Sequence, residues 1–168
     1  MVLLHGGDIP DRLHIPTVSA GRNVFGPGLY LTGDPKVAQC YVFRHHGSLW
    51  RVSVSGPRTG VCNFDRPLTA CDRLPDYVHR LTERDRLPGE SRYDQLAQLH
   101  GPGHDDTRTR RLNDQLRRWG IWLLMGHVGA TAQSGLMDRG RQFVLLDPRG
   151  IERIQRVEAS GRTAPAGR

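Results

Sequence analysis

Lysine is almost missing from this sequence: Lys36 is the only one, and the other 23 of its 24 basic residues are arginine. Against 17 acidic residues they leave a formal net charge of +7. Guanidinium groups in excess suit phosphate, of a small ligand or of a nucleic acid, and charge alone does not choose between the two. Cysteine is scarce too. Cys40, Cys62 and Cys71 form no C-x-x-C pair and no His/Cys cluster with zinc-ligand spacing, which excludes a disulfide framework and a zinc module. A reducing, cytoplasmic setting is the expectation. No apolar run approaches the roughly 18 residues of a membrane span, so no membrane association is expected. The N-terminus lacks a basic segment followed by an apolar one, so no secretory signal is expected. There is no internal repeat.

What remains is enough for one domain of 168 residues, with 37% hydrophobic residues and a mean hydropathy of −0.52. Gly 20 and Pro 11 favour a strand- and turn-rich α+β protein over a helical bundle. Met1–His5 reads as a strand running into the Gly6-Gly7-Asp8 turn, and residues 9–24 read as irregular. Gly26-Pro27-Gly28 is a turn before a short strand, Leu29–Thr32. Asp34-Pro35 marks a helix start, with Asp as the cap. Ser48–Val54 alternates apolar and polar residues and is the clearest strand of the first half.

Helices are expected over Pro75–Arg84, Ser91–Leu99 and Asp106–Trp119. In the last of these Leu112, Leu116 and Trp119 line one face among arginines, and Gly120 stands at the stop position. Ile121–Met125 is a buried strand or a helix extension. Strands follow at Arg141–Asp147 and Ile151–Val157. The domain is expected to span 1–157, with a helical insertion at about 65–120, and 158–168 should be a disordered tail.

Three separated segments bear on chemistry: Leu3-Leu4-His5-Gly6-Gly7, then Phe25-Gly26-Pro27-Gly28-Leu29-Tyr30-Leu31 followed by Tyr41, then Gln142-Phe143-Val144-Leu145-Leu146-Asp147. Singly each is ordinary, since histidines after strands and Gly-Pro-Gly turns are commonly structural. In this order and spacing they resemble the ADP-ribosyltransferase family, in its His-Tyr-Glu branch of diphtheria toxin and the poly-ADP-ribose polymerases. His5-Gly6-Gly7 is similar to the branch's His-Gly-Ser/Thr motif. Phe25–Leu31 is similar to F-G-x-G-I-Y-F, and Tyr41 follows Tyr30 at the family's separation of eleven positions. Gln142–Asp147 is similar to its E-Y-I-V-Y-D strand. The likeness covers the first 55 residues and the 140–150 strand; residues 60–135 match nothing named.

The resemblance implies an ADP-ribosyltransferase-like split β-sandwich: two small antiparallel-rich sheets around an NAD cleft, with flanking helices. It implies NAD as substrate, with His5 bonding the adenosine-side ribose, the Gly6 backbone meeting the carboxamide, and Gly28 of the second motif among the cofactor-binding residues. Tyr30 and Tyr41 would sandwich the flat, cationic nicotinamide. Cleavage would give an oxocarbenium-like ribose, so catalysis would rest on positioning and electrostatics.

The sequence departs from the family at the carboxylate, where it has Gln142, an amide without charge or basicity. Asp138, in the loop before that strand, is the nearest substitute; Asp147 reads as the strand's turn-forming end. Gly7 and Ala38 replace family hydroxyls, which argues against polymer formation. The leading expectation is therefore a mono-ADP-ribosyltransferase, toxin- or effector-like, acting on a protein, nucleic-acid or small-molecule acceptor, with catalytic candidates Gln142, Asp138 and Tyr30. The alternatives are a degenerate domain of this fold that binds NAD or ADP-ribosylated ligands, and an RNA 2′-phosphotransferase-like enzyme.

Overall fold

The apolar opening run becomes strand β1 (Val2–Gly7), and the run after the Gly-Pro-Gly turn becomes β2 (Leu29–Thr32). Asp34 caps helix α1 (Pro35–His45) as the Asp-Pro pair predicts, its carboxylate accepting from the Lys36 N–H at 2.8 Å. Strand β3 (Ser48–Val54) has the predicted bounds. After it come β4 (Val61–Asn63) and three helices, α2 (Asp76–Thr82), α3 (Arg92–Gln98) and α4 (Asp106–Arg118). Gly120, at φ 79°, ends α4 and frees the next residues to pair as β5 (Leu123–His127), settling the open choice at 121–125 as strand. Strands β6 (Arg141–Leu145) and β7 (Ile151–Arg156) complete the set. This computed structural model describes residues 1–9, 25–71, 73–82, 92–98, 100, 106–127 and 141–157. The expected tail at 158–168 and nearly all of the irregular stretch at 9–24 lie outside them.

The fold is α+β with one mixed sheet of seven strands, in the order β4-β5-β6-β2-β1-β3-β7. All neighbours are antiparallel except β4 and β5, which run parallel. A parallel pair needs a long crossover, and the helical segment α2–α4 supplies it. The α+β class is as expected, but the described strands form one continuous ladder in place of the expected two sheets. It narrows between β1 and β2 to a single pair, Leu4↔Thr32, whereas β1 and β3 pair from Val2↔Ser53 to Gly7↔Ser48.

Two apolar clusters follow from this arrangement. Phe25, Phe64, Tyr93, Leu96, Leu112 and Leu116 sit in the cluster that joins the helices to one face of β5 and β6. The second mixes Leu3, Val52 and Val54 from one side of the narrow point with Leu31, Leu123, Phe143 and Leu145 from the other. Its strands are successive neighbours in the sheet, so this cluster is one apolar face that runs unbroken past the narrow point.

Candidate functional site

The narrow point of the sheet is where the sequence motifs meet. Antiparallel register sets Thr32 opposite both Leu4 of β1 and Gln142 of β6, and Tyr30 lies opposite Val144. Continuing β1 against β2 would place Gly6 opposite Tyr30, but the strands part after Leu4↔Thr32. The His5 ring takes over there, with Nδ1 at 2.8 Å from the Tyr30 carbonyl oxygen. A carbonyl only accepts, so Nδ1 carries the proton; in the neutral ring Nε2 is then the acceptor nitrogen.

Helix α1 covers this point. A Cβ on Gly6 would collide with the Ala38 carbonyl oxygen and come within 2.9 Å of Tyr41 Cβ, so glycine is what lets α1 sit on β1 and bring Tyr41 to the site. Gly28 is required by the same kind of approach, since a Cβ there would run into Val144 Cγ1 of β6. Both glycines have a packing reason independent of any ligand.

Gln142 is 5% exposed, on the face of β6 that Thr32 and Val144 share. Its Nε2 donates to the Tyr41 hydroxyl at 3.4 Å, and its Oε1 is buried with no hydrogen-bond partner among the described residues. A buried amide oxygen left without a donor is costly and is well placed to accept from a ligand hydroxyl. His5 thus meets Tyr30 across β1 and β2, Gln142 meets Tyr41 across β6 and α1, and Tyr41 is near enough to Tyr30 to act on its phenol. Asp138, the substitute carboxylate, lies outside the described residues. Asp147 forms the turn after β6, where its carboxylate accepts from the Arg149 backbone and pairs with its guanidinium.

The Tyr30 hydroxyl has a structural task. It accepts from the Phe25 N–H at 3.0 Å and donates to the Gly26 carbonyl at 2.8 Å, closing the turn that leads into β2. Burial pushes this phenol well above the ordinary tyrosine range, despite the opposing backbone bond from Phe25; the nearby Tyr41 phenol adds to the rise. The Tyr30 phenol should thus ionise above the ordinary tyrosine range in an ultraviolet titration, a step absent from Tyr30→Phe. Tyr30→Phe should cost about 1–3 kcal/mol in a denaturant melt by opening that turn. An ionisation near the usual value of about 10 that disappears in Tyr30→Phe would contradict this placement.

Sequence reasoning missed the residue that holds the other side of this turn. Asn113 of α4, 3% exposed, donates through Nδ2 to the Phe25 carbonyl at 3.0 Å and the Pro27 carbonyl at 2.8 Å. Its Oδ1 accepts from the Tyr93 hydroxyl at 2.9 Å. Phe25 stacks on Phe64 and meets the edge of Tyr93, each at 5.6 Å between ring centres. One signal was available: Asn113 is a polar residue standing beside the Leu112/Leu116 stripe rather than among the arginines. No protein-family model, curated protein or solved structure matches the chain.

Proposed function

We propose that this chain binds NAD and acts as a mono-ADP-ribosyltransferase, the narrow point of its sheet corresponding to the opening of the split β-sandwich of that family. The observation that carries the reading is the convergence of His5, Tyr30, Tyr41 and Gln142, four motif residues far apart in sequence, at the one point where the sheet narrows. Composition does not require such a meeting, and each residue has a group suited to part of the dinucleotide. The His5 Nε2 lone pair accepts from a ribose hydroxyl. The Tyr41 and Tyr30 rings offer π faces to a cationic nicotinamide. Gln142 Oε1, held by the Nε2–Tyr41 contact, accepts from the nicotinamide-side ribose and stabilises positive charge as the glycosidic bond lengthens. In the reaction that bond breaks with its electron pair going to the nicotinamide nitrogen. The acceptor's nucleophilic atom bonds the anomeric carbon and releases its proton to solvent.

A second reading, binding without turnover, is favoured by the neutrality of Gln142, because an amide dipole stabilises a cation less than a carboxylate does. NAD titration calorimetry and nicotinamide release in a matching cell lysate separate the two. Wild type should bind NAD and release nicotinamide. Tyr41→Ala should weaken binding about tenfold through loss of the aromatic face. Gln142→Ala should leave binding nearly intact and slow release by about a hundredfold. Binding with no release in any lysate supports the second reading, and absence of NAD binding removes both.

A further inference from the structure

The outer face of α4 repeats arginine at a helical interval. Arg110 and Arg117, like Arg111 and Arg118, are seven residues apart, two turns or about 10.5 Å along the axis, and all four are exposed. The C-terminal end of this face is where three loops gather. The Trp122 N–H donates to the Gly60 carbonyl at 2.9 Å and its indole N–H to the Pro57 carbonyl at 3.0 Å, which fixes the exposed Arg58 turn beside the end of α4. The Arg73 guanidinium reaches Thr59 Oγ1 at 3.3 Å and borders Gly120. The Leu146 N–H donates to the Trp122 carbonyl at 2.9 Å, which brings Asp147 and Arg149 to the same corner.

The segments that gather there carry five exposed arginines: Arg58, Arg73, Arg117, Arg118 and Arg149. Two of them are in ion pairs among the described residues, Arg117 with Asp114 and Arg149 with Asp147. Arg149 and, more weakly, Arg117 hold Asp147 below the usual carboxylate range, so both carboxylates are committed locally. Arg58 and Arg118 have no carboxylate partner among the described residues. Basic residues in the last turn of a helix offset its dipole, which accounts for Arg117 and Arg118. It does not account for Arg58, Arg73 and Arg149, which come from three other segments.

We propose that this corner is a docking surface for the phosphate backbone of a nucleic acid. Planar guanidinium groups at the spacing of successive helical turns bind phosphates in bidentate fashion, and the corner offers several at once. The surface lies at the far end of β6 from Gln142, five residues or about 16 Å along the strand, so a docked chain passes within a few nucleotides of the candidate site. The inference stands on the charge arrangement and does not depend on the NAD reading.

The test is fluorescence anisotropy of the full chain with labelled duplex DNA, single-stranded DNA and RNA of random sequence, at salt from about 50 to 200 mM. Wild type should bind at least one of these, with affinity falling steeply as salt rises. Arg117→Gln with Arg118→Gln should weaken binding about tenfold and flatten the salt slope by about two for a duplex, fewer phosphates being neutralised. The control removes the same charge elsewhere on the sheet, Arg51→Gln with Arg153→Gln, both exposed on β3 and β7. It should change affinity little. Equal loss in both double variants would overturn the assignment, reducing it to net charge. So would failure to bind any of the three nucleic acids, or binding of polyglutamate in preference to all of them.

Discussion

Gly6→Ala is expected to be the most damaging single methyl group that can be added to this protein. The obstacle is the Ala38 carbonyl oxygen, a backbone atom inside the first turns of α1, with Tyr41 Cβ 2.9 Å away on the next turn. Neither can move without lifting the helix from β1. Overpacking against flexible side chains costs about 1–3 kcal/mol, and a rigid backbone neighbour puts this change at the top of that range or above it. For a chain of this size, about 3 kcal/mol corresponds to a fall in Tm of roughly 6–12 °C. NAD binding, if the proposal holds, should fall with it, because the displaced helix carries Tyr41. Two companions make the result specific. Gly33→Ala meets nothing within 4 Å and has no left-handed backbone, so it should be neutral or slightly stabilising, by up to about 1 kcal/mol. Ala38→Gly should not rescue Gly6→Ala, because it removes a methyl group and leaves the offending carbonyl in place. A Gly6→Ala protein that melts with wild type would mean that α1 does not sit on β1 as described.

The elements that were legible in the sequence owe their form to local chemistry. The alternation in Ser48–Val54 and the Asp34-Pro35 cap gave β3 and α1 directly, and Leu112 with Leu116 gave the buried stripe of α4. Of the residues the resemblance singles out, His5 lies against Tyr30 and Gln142 against Tyr41. What escaped depended on partners far along the chain. Strand β4 has three residues and no pattern of its own; it exists because Val61, Cys62 and Asn63 find Leu123, Leu124 and Met125 sixty-two positions later. The helices between 65 and 120 read as an insertion, yet they form the crossover of that parallel pair and much of one apolar cluster. The Tyr30 hydroxyl and the His5 ring both carry backbone duties that no periodicity encodes. At this site one residue can therefore be needed for both shape and chemistry, and stability has to be measured beside binding in every variant.

Asn113→Ala separates those two needs. The Phe25 and Pro27 carbonyls can only accept, so the amide nitrogen of Asn113 must face them and its oxygen must face the Tyr93 hydroxyl. Truncation leaves the Phe25 and Pro27 carbonyls short of a donor and turns the Tyr93 hydroxyl to its longer bond with the Thr109 carbonyl at 3.5 Å, at an expected cost of about 2–4 kcal/mol. Asn113→Asp keeps the shape but points a carboxylate oxygen at both carbonyls. At neutral pH it should be worse than alanine, since it adds repulsion and a poorly compensated buried charge to the lost bonds. Gly26 sets the direction of failure: it has φ 65° and no room for a Cβ beside the Tyr93 hydroxyl, so the turn has no alternative packing against α4. Loss of Asn113 should accordingly loosen residues 25–28 while the β1–β3–β7 half, joined through its own ladder, stays ordered. Hydrogen exchange would read this as faster exchange at the Phe25 and Gly26 amides and in β2, with unchanged protection in β3. If protection falls equally in both halves, Asn113 supports the whole core; if it falls in neither, the turn is held by Tyr30 alone.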